Sequence, residues 1–207
     1  MDEIFPLFIE EMGEPIFRQE VPPSSIAHYR GKLPEKLLEY WAEHGWCGYG
    51  EGIFWTVNPQ DYEGVVASLI EGTPLEKRDN YHIIARGAFG DLYLYGEKSG
   101  FSLDIVPYTS NYCGRTHETA ATDTDTDKEV QGFFLLMDRE SNDFGDFFEP
   151  AKNKLGRLEH DEIYGFIPAL ALGGAIKLDN IEKVKAIEHL TLLSQLSPLE
   201  PYGFSDF

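Results

Sequence analysis

The sequence predicts an α+β protein: an antiparallel sheet meander flanked by helices, with a helical C-terminal part packed on it. Three observations carry this. Residues 80–107 hold three apolar, β-branched and aromatic runs, at 81–85, 92–95 and 101–106, separated by glycine-bearing turns at 87–91 and 96–100. Strand-length runs split by such turns read as an antiparallel meander. Helix-start signals and apolar stripes at helical spacing lie on both sides of it. The chain has 207 residues, 42% of them apolar and 14% aromatic, enough to build a packed core.

The elements follow in order. Residues 1–23 are acidic and punctuated by Pro6, Pro15, Pro22 and Pro23, yet Phe5, Leu7, Phe8 and Ile9 suit a short helix anchored on the core. Pro34 sits where a first helical residue loses nothing by lacking an N–H, Leu37, Leu38 and Trp41 form one face, and Gly45 is the stop. A short strand is expected over 52–57. Asn58 then caps a second helix with Pro59 at its first position; Tyr62, Val65, Val66, Leu69 and Ile70 are its buried stripe, and Gly72 ends it. After the meander, 116–129 turns polar, with alternating Thr and Asp at 122–127. This divides the chain into an N-terminal domain over 1–115, an acidic loop or linker over 116–130, and a C-terminal domain over 131–207 packed as one body with the first. A helix start is expected over 131–137, another helix over 144–155, turns and strand over 159–174, and the longest helix over 181–196, stopped by Pro198.

Charge excludes several function classes. Asp and Glu outnumber Lys and Arg 36 to 17, a net charge of −19. Such a chain repels nucleic acid and anionic membrane and attracts a basic partner. Cys47 and Cys113 form no C-x-x-C pair and read as reduced cytosolic thiols. The N-terminus has no basic and apolar leader pattern, and no run approaches the roughly 20 apolar residues of a membrane span; the expected location is the cytoplasm.

No complete catalytic set emerges from spacing. Asp123, Asp125 and Asp127 resemble the start of a calcium loop, but its sixth and twelfth positions hold Lys128 and Phe134 instead of Gly and Glu. His160, Asp161 and Glu162 are adjacent, so they point apart and do not close on one metal. The Gly87 and Gly90 pair sits between strands and lacks the Lys-Ser/Thr of a phosphate loop. There is no G-x-S-x-G, and the six histidines are scattered. Neither a metal nor an organic cofactor is expected.

Two stretches resemble a known family. Leu33-Pro34, Tyr40-Trp41, Gly45, Tyr49, Gly52 to Trp55, Asn58-Pro59-x-Asp61-Tyr62 and Ala85-Arg86-x-Ala88-Phe89-Gly90-Asp91-Leu92 resemble the GAD-like domain. Leu158-x-x-Asp161-Glu162-Ile163-Tyr164-Gly165-Phe166-x-Pro168-Ala169-Leu170-Ala171-Leu172-Gly173-Gly174, with Glu188-His189-Leu190 and Gln195-Leu196, resembles the C-terminal domain that accompanies it. The pairing is similar to bacterial immunity proteins that neutralise nuclease toxins of type VI secretion.

The resemblance implies a cytoplasmic, non-enzymatic protein that binds a cognate basic toxin, a DNase, tightly and without touching nucleic acid itself. The candidate toxin-binding residues are the acids Asp123, Asp125, Asp127, Asp143 and Asp146, for steering, and Phe144, Phe147 and Phe148, as anchors. Arg86, Asp91, Asp161, Glu162 and Tyr164 are the candidate structural or pocket-forming group; Arg86 lies inside an apolar run and calls for a carboxylate partner among Asp91, Asp161 and Glu162. The alternative is a small-molecule-binding protein or hydrolase with a pocket between 85–91 and 160–164; a third reading is an adaptor with a non-toxin partner.

Overall fold

Local chemistry sets many element boundaries in the computed structural model, which describes residues 3–114 and 126–202. α1 (Ile4–Met12) buries Phe5, Phe8 and Met12 on one face. β1 (Ile16–Gln19) and α2 (Pro23–Tyr29) follow. α3 (Glu35–His44) starts directly after Pro34 and stops at Gly45, whose φ of 80° suits glycine. β2 (Trp46–Tyr49) and β3 (Phe54–Thr56) lead into α4 (Pro59–Ile70), where the Asn58 side chain accepts from the Gln60 N–H at 3.3 Å. The expected meander is β4 (Tyr81–Gly87), β5 (Leu92–Gly96) and β6 (Gly100–Val106), extended by β7 (Asn111–Gly114). The remaining elements are α5 (Thr126–Leu135), α6 (Phe148–Leu155), β8 (Glu162–Phe166), β9 (Ile181–Lys185), α7 (Ala186–Leu196) and β10 (Glu200–Pro201).

The architecture is α+β. Eight strands form one sheet in the order β1-β2-β3-β4-β5-β6-β7-β10, antiparallel throughout except where β10 runs parallel to β7. β8 and β9 make a separate antiparallel pair.

The C-terminal elements fold onto the sheet and its helices. Phe134 of α5 sits 5.1 Å from both Phe5 and Phe8 and 5.4 Å from Tyr40. α7 packs on α4, where the Ser68 and Ser194 hydroxyls meet at 2.6 Å, and the Tyr164 N–H donates to the Ala88 carbonyl at 2.8 Å. No helix among the described residues is long and apolar enough to cross a membrane.

Three expected elements change. The helix read over 181–196 is a strand followed by a helix: Ile181 and Val184 pair with Phe166 and Ile163 of β8, and the helix begins only at Ala186. Spacing of three suits a helix face, but the ladder offered by β8 wins. The helix expected from 144 begins at Phe148, because Gly145 and Asp146 take positive φ (58° and 61°) and break the turn before it. The helix expected over 131–137 spans Thr126–Leu135, so part of the expected acidic loop is helical.

Candidate functional site

Arg86 stands near the end of β4, opposite Trp55 on β3 and Leu92 on β5, and is fully buried. Its Nε donates to the Tyr62 hydroxyl at 3.1 Å, Nη1 to the Gly87 carbonyl at 3.4 Å and Nη2 to the His160 carbonyl at 2.8 Å. Its guanidinium lies 5.0 Å from the Trp55 ring. The expected carboxylate partner is therefore a correction. Asp91 accepts from the Tyr108 hydroxyl at 2.8 Å, Asp161 pairs with Lys185 at 2.7 Å, and Glu162 pairs with Lys183 at 3.3 Å. Carbonyl dipoles and an aromatic face carry the buried charge instead, which avoids desolvating a second ion. Arg86 thus ties the sheet to α4 through Tyr62 and to the C-terminal part through His160.

Outside this node lies a cleft of about 190 Å³, walled by Trp46, Trp55, Tyr62 and Ile187, with Asp61, His160 and Asp161 among its polar groups. It meets the expected pocket only at His160 and Asp161. Among the described residues no Ser, Cys or Lys lines it, and the Thr56 hydroxyl is held by the Cys47 backbone N–H at 2.9 Å. The lining therefore offers no nucleophile paired with a base.

Asp91 and Tyr164 do not line this cleft. Burial pushes the Asp91 carboxyl up to about 6, against the pull of the Tyr108 hydrogen bond. The Tyr164 hydroxyl donates to the Gly156 carbonyl at 2.7 Å. Behind β8, burial holds the His189 imidazole below its ordinary range. Gly165 gives that ring its room, since a Cβ there would lie 2.7 Å from His189 Nε2.

The candidate toxin-binding residues separate. Asp123 and Asp125 lie outside the described residues. Asp127 accepts from the Lys36 N–H at 3.0 Å, which caps the first turn of α3, and Asp143 accepts from the Phe148 N–H at 2.9 Å at the start of α6. Phe148 is a core residue, 6.1 Å from Tyr164 and crossed by Arg139 and Lys152, and so is not a surface anchor. The amphipathic pattern of α6 turns it inward. Phe144 is half-buried against Tyr108, Phe166 and Phe89, and Phe147 is half-buried beside it. Asp146 is exposed.

Sequence reasoning missed the bonds of Arg86 to Tyr62 and His160, although the stretches holding all three residues were singled out. It also missed the network in which Glu51 binds Lys152 at 2.7 Å and Arg157 at 3.1 Å, joining the sheet to α6 and the turn after it. Among the described residues no group of three His, Cys, Asp or Glu is placed to hold a metal ion, and Cys47 and Cys113 are free thiols.

Residues 3–109 match the GAD-like domain, and residues 127–197 match the C-terminal domain of the T6SS immunity protein Tdi1. No curated protein matches the chain. The crystal structure of Atu4351 from Agrobacterium tumefaciens superposes with a TM-score of 0.85 at 23% identity, covering 96% of this chain and 91% of that one, which establishes a shared fold. The Arg86 node, with Tyr62 on one side and His160 on the other, spans both matched stretches, and the chain belongs to the GAD-like domain family, followed by a Tdi1-type immunity C-terminal domain.

Proposed function

We propose that this chain is a type VI secretion immunity protein that binds a cognate toxin, a basic nuclease, in the cytoplasm and neutralises it by occlusion. The match of residues 127–197 to the Tdi1 C-terminal domain carries this reading. The charge of −19 supports the basic character of the partner: a nuclease must present positive charge to phosphate, and an acidic surface complements it. The described lining of the cleft beside His160 pairs no Ser, Cys or Lys nucleophile with a base, which supports the binding reading over the hydrolase one. Protection of a cell requires nanomolar affinity or better, about −12 kcal/mol, and an interface of about 800 Å² per partner.

The test is co-expression with the product of the gene adjoining this one, the expected toxin, followed by pull-down and a DNA-degradation assay. The expected result is a stable complex and intact DNA. Free toxin that degrades DNA in the presence of this chain overturns the proposal.

A further inference from the structure

Resting on the immunity reading, we infer that the toxin docks on the joint outer face of α1 and the C-terminal end of α5. These helices lie side by side through Phe5, Phe8 and Phe134. Beyond α5, the Arg139 guanidinium lies with the Met12 carbonyl at the end of α1 around Gly50. With the aromatic face turned inward, three leucines are left in solvent: Leu7 at 47%, Leu135 at 50% and Leu136 at 72% exposure. Helical spacing explains the first, since Phe5, Phe8 and Met12 recur on the core side and Leu7 falls opposite them.

Along α1 and its flanks the acids are uncompensated. Glu3, Glu10, Glu11 and Glu14 are exposed and form no ion pair among the described residues. No Lys or Arg occurs before Arg18. Some acids elsewhere are neutralised: Glu51, Glu149, Asp161 and Glu162 each face a lysine or arginine. Exposed apolar side chains on helices that also carry unpaired carboxylates fit a partner whose own apolar patch has a basic rim. A second copy of this chain does not fit, because an acidic rim would face an acidic rim in a molecule already at −19. Another exposed apolar stretch lies between β8 and β9, with Leu172 at 65% and Ile176 at 55% exposure. Residues 166–176 contain no charge, so nothing there selects a basic partner.

The division of labour follows: the glutamates draw the toxin in, and the leucines hold it. The experiment measures binding of the product of the adjoining gene, the expected toxin, by surface plasmon resonance. Leu135→Ser with Leu136→Ser should speed dissociation at least thirtyfold with little change in association; both side chains are exposed, and circular dichroism checks the fold. Glu10→Gln, Glu11→Gln and Glu14→Gln together should slow association about tenfold at low salt and flatten its salt dependence. Leu172→Ser with Ile176→Ser should leave both rates unchanged. Wild-type binding combined with unchanged rates in the α1 and α5 variants overturns the inference while the immunity reading stands. So does a loss confined to the Leu172 and Ile176 variant, or a wild-type dimer that the Leu135 and Leu136 variant dissolves. Absence of wild-type binding overturns the immunity reading and this inference together.

Discussion

Arg86 shows how far a single residue can be read. Its burial was legible, because a guanidinium inside an apolar strand run must be enclosed and partnered. Its partners were not, because the position of the His160 carbonyl depends on how a segment 74 residues away packs. Truncating it strands the Tyr62 hydroxyl and the Gly87 and His160 carbonyls and opens a void under Trp55. Arg86→Ala should lower stability by about 3 kcal/mol or more, read by chemical denaturation. Asp91 gives a pH signature. Its folded carboxyl is raised from 3.8 to about 6, so the native state holds a proton that the unfolded state has released between those values. Stability from this group is present at low pH and lost as pH rises through about 6. Asp91→Asn removes the effect, and its advantage over wild type should grow by about 2 to 3 kcal/mol between pH 4 and pH 8, measured as unfolding free energy. His189 works in the opposite sense: its depressed imidazole contributes stability above the ordinary value of 6.5 that is lost as pH falls.

At the scale of elements, caps and turns were the readable features. Pro34 and Gly45 bound α3, Asn58 and Pro59 open α4, and glycine turns divide β4, β5 and β6, because these signals act within a few residues. β9 was misread because Ile181, Val184 and Ile187 recur at a spacing that a helix accepts, while the strand exists only by pairing with β8. β1, α2 and β10 were not anticipated; β10 is two residues long and defined by its neighbour alone. Asp127 belongs to this scale as well. It acts from α5 on the first turn of α3, a cap supplied by a helix 91 residues distant that no local pattern announces. Asp127→Ala should cost about 1 kcal/mol, seen as a lower midpoint in denaturant at unchanged slope.

For the molecule as a whole, the fold class and the acidic character were plain in composition, whereas the apolar side chains left at the surface were not. The aromatic anchors expected near 144–148 turned largely inward, and the exposed leucines of α1 and α5 lay in segments read mainly for their core faces. Exposure is a property of packing, which a pattern of apolar residues does not specify. The two matched regions share Arg86, the α4 and α7 contact and the Phe134 cluster. They should unfold in one transition. All three tryptophans lie before residue 56, so their fluorescence reports one region, and hydrogen exchange of the α7 amides reports the other; the two midpoints in urea should coincide. The eight-stranded sheet has one more consequence, at its borders. An open border is where copies of a chain can stack into fibrils, strand upon strand. Here one border is four residues long with an irregular register, and the other stops at Pro201, which has no N–H to offer. A concentrated solution of this protein should therefore stay dispersed.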